Sequence, residues 1–252
     1  MSTARDLLIK EYATHYSRLN RNPESNALSE RAFSSMQLMF GNLIASLPRG
    51  SKVLDLGCGA GFLLAWLAKQ PGIIPIGVDR SISQLAVARQ RFPEVEFVCD
   101  DGLAFLRQHV DEFAAIFCTD VLEHLPGLDR TLEWVIAARD ALQSDGFFLC
   151  RVPNAANLTA SYSRYMDLTH ERCFTSASLS QLLDSAGLQN CRIVHQRAAH
   201  LSGRIRLASE AFIHLAVFRL CGRGDERVFT YNISAVGYKA LAVSAAISRG
   251  AG

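Results

Sequence analysis

The chain has 252 residues, a formal net charge of +2 and 20% charged residues. That length buries a full core in one large domain, or in one domain with an appended lid, and the near-neutral balance carries no nucleic-acid signature. Its seven cysteines form no C-x-x-C pair, and no apolar run reaches the roughly 20 residues that span a bilayer.

Residues 1–26 are polar and dotted with aromatics (Tyr12, His15, Tyr16) ahead of Asn20, Asn22 and Pro23, which reads as a short helix and a loop. They lack the continuous apolar core of a secretory signal. Residues 28–47 place Phe33, Met36, Met39, Phe40, Leu43 and Ile44 at helical spacing and close at Pro48-Arg49-Gly50. From there strands and helices alternate. Strands are expected at 52–56, 73–78, 95–98, 114–118, 147–152 and 188–195. Helices are expected at 62–69, 81–91 (opened by a capping Ser81), 103–108, 128–142 and 176–186. Cys99, Cys118 and Cys150 lie in or at the ends of strand-like runs, as buried reduced thiols of a cytosolic protein do. The alternation calls for a mostly parallel sheet with helices on both faces and ligands outside the carboxyl ends of the strands.

Two segments interrupt the pattern. Residues 153–174 mix Pro153, Asn154, polar residues and aromatics without a period, a candidate wall for a substrate. Residues 201–222 read as an apolar helix with Arg204, Arg206, Arg219 and Arg223 near its ends, and are expected to serve as a core or lid helix. Residues 228–238 read as a last strand. The expected organisation is a single domain, 1–252: a helical cap (1–49), a cofactor-binding core (50–200), an inserted helix or lid (201–226) and a final strand (227–240).

The densest signal is Val53-Leu54-Asp55-Leu56-Gly57-Cys58-Gly59-Ala60-Gly61-Phe62, where an apolar strand ends in an acid and three alternate glycines lead into a helix. Such a turn lets a ligand lie against the backbone. A dinucleotide site would need G-x-G-x-x-G, and Phe62 takes the place of its last glycine. Asp55, two residues before the first glycine, suits a ligand with an ammonium or sulfonium group better than a diphosphate. A bare glycine turn without a ligand is the remaining alternative.

The later strand ends bear on that choice. Gly77-Val78-Asp79-Arg80 closes the second strand with an acid able to accept both hydroxyls of a ribose. The third ends in Cys99-Asp100-Asp101-Gly102 and the fourth in Cys118-Thr119-Asp120-Val121-Leu122-Glu123-His124-Leu125. Together these resemble the class I S-adenosylmethionine (SAM)-dependent methyltransferases over roughly residues 50 to 195. The resemblance implies an α/β, Rossmann-like fold: seven strands in the order 3-2-1-4-5-7-6, mostly parallel, with the last strand antiparallel. It implies SAM as cofactor and S-adenosylhomocysteine as product. In its terms Asp55, Gly57, Cys58, Gly59, Gly61 and Phe62 form the first motif, and Asp79 with Arg80 the ribose end. Asp101, favoured over Asp100, would hold the adenine amino group with Gly102 as backbone donor, and the backbone at Cys118 would face the methionine part. The chain lacks an N-P-P-Y type motif, which argues against methylation of base or glutamine amino groups.

An alcohol or phenol acceptor needs its proton removed, and histidine is the usual base. His170 lies in Asp167-Leu168-Thr169-His170-Glu171-Arg172-Cys173-Phe174-Thr175, a D-x-T-H-x-x-x-F-T segment resembling bacterial methyltransferases of polysaccharide and secondary-metabolite pathways. Asp167 or Glu171 is placed to orient it; pinning the loop is the structural alternative. His124 is the second histidine. The acids and histidines are not at metal-ligand spacing, and no metal is expected.

The leading expectation is methyl transfer to a hydroxyl of a small molecule or sugar. Two alternatives stay open: a lipid-linked or quinone-type acceptor at the membrane surface, with residues 201–222 touching the inner face, and a non-catalytic SAM-binding scaffold subunit. The expected location is cytoplasmic, and the oligomeric state is left open with a homodimer among the options.

Overall fold

A computed structural model describes residues 30–241 together with Leu8, so the readings at Tyr12 and Tyr16 and the tail beyond Leu241 lie outside the described residues. The first described helix, α1, spans Glu30–Ala45. Then follow β1 (Ser51–Leu56), α2 (Phe62–Leu67), β2 (Ile73–Asp79), α3 (Ile82–Arg91), β3 (Glu96–Cys99), α4 (Gly102–Gln108) and β4 (Phe113–Thr119). A single 3-10 turn, Leu122–His124, leads into α5 (Gly127–Ala141) and β5 (Leu142–Pro153). The chain continues through α6 (Ala160–Tyr165), α7 (Ser176–Ser185), β6 (Gln189–Val194), α8 (Leu201–Leu220) and β7 (Asn232–Tyr238).

The seven strands lie in the order β3-β2-β1-β4-β5-β7-β6, and β7 runs antiparallel to both neighbours, as the resemblance implied. Successive residues of the central strands point to opposite faces. Leu54, Leu56, Ile116 and Phe148 pack with Trp134 and Val135 of α5 and Leu179 and Leu183 of α7. Val53, Ala115, Phe117 and Phe147 pack on the other face with Phe40 of α1, Leu64 and Trp66 of α2 and Leu85 of α3. Both faces are covered, so β4 (FAAIFCT) is buried through its first six residues, the near-continuous apolar run of a parallel central strand. Register aligns Asp55 with Gly77 and with Phe117, which brings the carboxyl ends of β1, β2 and β4 to one edge.

Several local expectations differ from the structure. β5 begins at Leu142, because Leu142 pairs with Phe113 across an irregularity before the ladder resumes at Phe147. The 153–174 segment contains α6, whose sequence ASYSRY has no apolar period, and its two ends are joined by a bridge between Asn154 and Phe174. β7 starts at Asn232, since the carbonyls of Val228 and Thr230 accept hydrogen bonds from the Asn154 side chain. Cys118 and Cys150 are buried, whereas Cys99 is exposed. The helix at 201–220 buries only His214 and exposes Phe212 (75%) and Leu220 (88%). No described helix is long and apolar enough to cross a membrane.

Candidate active site

The loop between β1 and α2 is shaped by its glycines. Gly57 has φ +81, and a Cβ there would stand 2.3 Å from Val121 Cγ2. Gly59 has φ +51, and a Cβ there would meet nothing within 4 Å. The first glycine lets the β4 loop close in; the second leaves open space beside the main chain. The Gly57 and Cys58 N–H groups donate to the Val78 carbonyl at 2.8 and 3.1 Å, which ties the loop to β2. Gly61 caps α2. Burial pushes the Cys58 thiol up, which disfavours the thiolate. Phe62, the first residue of α2, carries the Arg91 guanidinium 5.7 Å from its ring centre.

Asp79 closes β2 with both oxygens engaged. Gly59 N–H donates to Oδ2 and Ser81 N–H to Oδ1, each at 2.8 Å. Each oxygen keeps further acceptor capacity for a ligand hydroxyl. Burial raises the Asp79 carboxyl from its ordinary range, and the two backbone donors oppose that rise. Arg80 beside it is exposed. Asp55 is the deep acid, 2% exposed, with an Oδ1 that meets no partner among the described residues. Burial first, and the charge of Asp79 second, push its pKa up to about 7, against the pull of Arg151.

Asp101 is the N-cap of α4, its Oδ1 accepting from Leu103 and Ala104 N–H at 3.1 Å each. Its own N–H donates to Asp100 Oδ1 at 2.7 Å, so the two neighbouring acids stand in different settings. Gly102 lets α5 approach, since a Cβ there would lie 2.6 Å from Trp134 Cη2. Cys118 is fully buried at the end of β4, its thiol raised well above the ordinary value by burial.

Past β4 the chain turns sharply at Asp120, a non-glycine residue with φ +57. Its N–H donates to the Arg151 carbonyl at 2.8 Å. The Arg151 guanidinium grips the Asp120 carboxylate with two N–H donors, the Nε one at 3.1 Å. Arg151 also feels the charges of Glu123 and Asp55, so the glycine-loop acid and the β4 loop share one electrostatic neighbourhood. Glu123 is 1% exposed with an Oε2 that has no partner among the described residues, and burial holds its carboxyl well above the usual range.

The two histidines meet. Their ring centroids are 4.6 Å apart at 65°. His124 Nδ1 lies 2.7 Å from Thr169 Oγ1, and that hydroxyl lies 2.7 Å from Asp167 Oδ1. A carboxylate only accepts, so the hydroxyl donates to Asp167 and accepts from His124 Nδ1–H. His170 Nδ1 is 2.7 Å from the Ser163 carbonyl, which also only accepts. Both rings therefore carry a proton on Nδ1, and in the neutral imidazole the lone pair then stands on Nε2. Burial alone would raise Asp167, but the hydroxyl and backbone N–H of Thr169 and the nearby imidazoles outweigh it and hold this carboxyl below its ordinary range.

The expected link from Asp167 or Glu171 to His170 is not the one present. Asp167 reaches His124 through Thr169, Glu171 Oε2 accepts from Gly127 N–H at 3.0 Å, and Ser163 orients His170. Asn154, within the segment expected to wall a substrate, is 1% exposed and clamps the chain before β7 through its side-chain amide. Sequence reasoning missed Thr169, which stands inside the D-x-T-H segment, and the stitching of α8. His214 Nε2 accepts from Leu158 N–H at 2.9 Å, and Asn157 donates to Glu210 Oε1 at 3.0 Å.

The residues fit SAM. An orphaned, buried carboxyl oxygen suits its ammonium group, the open face of Gly59 offers room against the main chain, and Asp79 offers acceptors for ribose hydroxyls.

A family model described as a methyltransferase domain matches residues 28–193. The ubiquinone biosynthesis O-methyltransferase of Coxiella burnetii (strain Dugway 5J108-111) is 37% identical over 89 residues, 34% of this chain and 37% of that protein. The protein of the same name from Glaesserella parasuis serovar 5 is 33% identical over 113 residues, 42% of this chain and 46% of that protein. The chain thus matches less than half the length of these relatives. A SAM-dependent methyltransferase from Archaeoglobus fulgidus shares the fold, with a TM-score of 0.63 and 17% identity over 92% of this chain and 99% of that one. Sheet order and a family match over most of the chain agree: the chain belongs to the methyltransferase-domain family and has the fold of the class I, SAM-dependent methyltransferases.

Proposed function

We propose that this chain transfers the methyl group of SAM to a hydroxyl of a small-molecule or sugar acceptor. The observation that carries the reading is the pair of imidazoles at the carboxyl ends of β4 and β5, each with Nδ1 engaged and Nε2 bearing the lone pair. SAM supplies an activated methyl on a sulfonium leaving group. The chain's task is to bind, align and deprotonate. Asp55 holds the ammonium end, Asp79 the ribose hydroxyls, and Asp101 with Gly102 the adenine, while the backbone at Cys118 borders the methionine part. Fixing both reactants in line supplies several kcal/mol of the barrier, of the ~7–11 kcal/mol that full pre-orientation can give. A hydroxyl must lose its proton as it attacks, and imidazole, with an ordinary pKa of ~6.5, is suited to take it. Labelled SAM incubated with fractionated extract, followed by identification of the methylated product, tests the acceptor class. His170→Ala is expected to keep SAM affinity and lose roughly 10²–10⁴ in turnover; unchanged turnover removes His170 as the base.

A second reading places a quinone-type acceptor at a membrane surface. It is favoured by α8, which exposes Leu201, Ile205, Phe212, Ile213 and Leu220 alongside exposed Arg204, Arg206, Arg219 and Arg223. Exposed apolar and basic side chains of this kind are the ones that contact an anionic leaflet, and the Coxiella and Glaesserella relatives are named for ubiquinone biosynthesis. Flotation with phosphatidylglycerol vesicles decides: a chain left at the bottom of the gradient removes the membrane version.

A further inference from the structure

We propose that Glu123, His124 and His170 form a site for one divalent first-row transition ion of the zinc class. A carboxylate oxygen of Glu123 and one ring nitrogen from each histidine lie within 4.8 Å of one another. Around such an ion, with bonds of ~2.0–2.2 Å, ligand atoms stand roughly 3.3 Å apart.

Three features prepare the cluster for a cation. Glu123 Oε2 is buried without a partner among the described residues, an arrangement that is costly unless the carboxyl stays neutral or meets a positive charge. His124 Nδ1–H donates to Thr169 Oγ1, whose own hydroxyl donates to the Asp167 carboxylate. His170 Nδ1–H donates to the Ser163 carbonyl. A metal-binding histidine is oriented in this way, with the second ring nitrogen tied to a carboxylate or backbone carbonyl. The backbone is fixed too, because Glu171 N–H donates to the Glu123 carbonyl at 2.7 Å and locks the His170 loop onto the 3-10 turn.

Two imidazoles and one carboxylate select zinc, iron, cobalt or manganese over magnesium or calcium, which take oxygen ligands. Three protein ligands leave a coordination position open for an outside oxygen. In function the inference rests on the acceptor reading above. An acceptor hydroxyl bound at the open position would become more acidic and release its proton to solvent water; with the ion in place the two imidazoles would be ligands, and His170 would act through the ion and not as the free base. Cofactor binding at Asp55 and Asp79 does not depend on it.

The test uses the full chain, stripped with a chelator and titrated with Co²⁺ without SAM. The expected result is one Co²⁺ per chain with visible d–d absorption, displaced by Zn²⁺ and not by Mg²⁺. Glu123→Gln and His170→Gln are expected to abolish the band, and Thr169→Val to weaken Co²⁺ affinity roughly 10- to 100-fold as loss of an outer partner does. Thermal melting and SAM affinity of each variant report whether it is folded. No band in the wild-type chain, or a band that survives both Glu123→Gln and His170→Gln, overturns the site. Co²⁺ uptake by a chain that transfers no methyl group keeps the site and removes the function reading. Methyl transfer by a stripped chain that takes up no Co²⁺ does the reverse.

Discussion

Asp55 and Asp79 flank one glycine loop, and the charge of Asp79 helps drive the pKa of Asp55 up to about 7. They divide the work by environment. Asp79 is held by two backbone donors, whereas Asp55 has an oxygen with none. A cationic group arriving at Asp55 favours its ionised form, so SAM binding is expected to expel a proton below about pH 7. Affinity is then expected to rise as pH increases to about 7, by up to tenfold per unit, and to level off above. Calorimetric titrations between pH 5.5 and 8.5 in buffers of different ionisation enthalpy read both the slope and the proton count. A Kd for SAM independent of pH removes Asp55 as the ammonium's partner.

The same shift affects the unliganded chain. A carboxyl whose folded pKa stands above its unfolded one binds more protons when folded. Its contribution to stability therefore falls as pH rises from 3.8 to about 7 and remains low above that. Asp55→Asn removes the buried charge and is expected to stabilise the apo-protein at pH 8. The gain is at most about 4 kcal/mol, the equivalent of moving a pKa from 3.8 to about 7. At pH 4 the gain is expected to vanish. Urea melts of both proteins at the two pH values measure it, and the variant is expected to bind SAM more weakly even as it resists urea better.

Why some of this was readable in the residues and some was not has a physical basis. The central strands bury both faces, so 52–56 and 114–118 stand out as apolar runs wherever the helices happen to pack. Once strand order is set, acids at strand ends converge on one edge, and Asp55, Asp79 and Asp101 are visible on that ground alone. The start of β5 was hidden because Ser144-Asp145-Gly146 has turn composition, and only pairing of Leu142 with Phe113 makes a strand of it. The His124 to Thr169 bond was hidden because it joins residues 45 apart. No local pattern encodes a contact made by two loops that meet only after the sheet is assembled. The D-x-T-H segment suggested the nearest histidine as partner of Asp167, where the fold supplies a more distant one through Thr169.

Gly57 and Gly59 separate folding from binding. Alanine at Gly57 must adopt φ +81 with its Cβ 2.3 Å from Val121 Cγ2, and Val121 leads directly into the turn carrying Glu123 and His124. Gly57→Ala is expected to cost roughly 1–3 kcal/mol of stability, as overpacking does, and to lower turnover. Alanine at Gly59 meets no protein atom within 4 Å. It carries only the cost of a left-handed backbone, about 1 kcal/mol, but its methyl group occupies the space proposed to receive the cofactor. Gly59→Ala is therefore expected to lose SAM affinity by tenfold or more with a modest change in melting temperature. Equal effects of the two variants on both measurements would contradict this division.

Asn154 carries the last prediction, because it connects the loop proposed to face the acceptor to the sheet. Its Nδ2 donates to the Val228 and Thr230 carbonyls at 2.7 and 2.9 Å, and its Oδ1 accepts from Ala156 N–H at 2.9 Å. Asn154→Ala removes all three bonds inside a site that is 1% exposed, and each buried backbone group left unsatisfied costs about 1–3 kcal/mol. Water entering the vacated volume recovers part of that, so a net loss of about 2–4 kcal/mol is expected in urea denaturation. Asn154→Asp keeps the acceptor for Ala156 but turns a carboxylate toward two carbonyls, so it is expected to be no better than alanine at neutral pH and to recover as the group is protonated. The segment released is the one that carries Ser163, Asp167 and His170, whereas the glycine loop is tied to β2 and not to residue 154. The variant is therefore expected to keep SAM affinity within a few-fold while kcat falls and KM for the acceptor rises. Loss of SAM affinity in step with turnover would show instead that the clamp supports the whole carboxyl edge of the sheet.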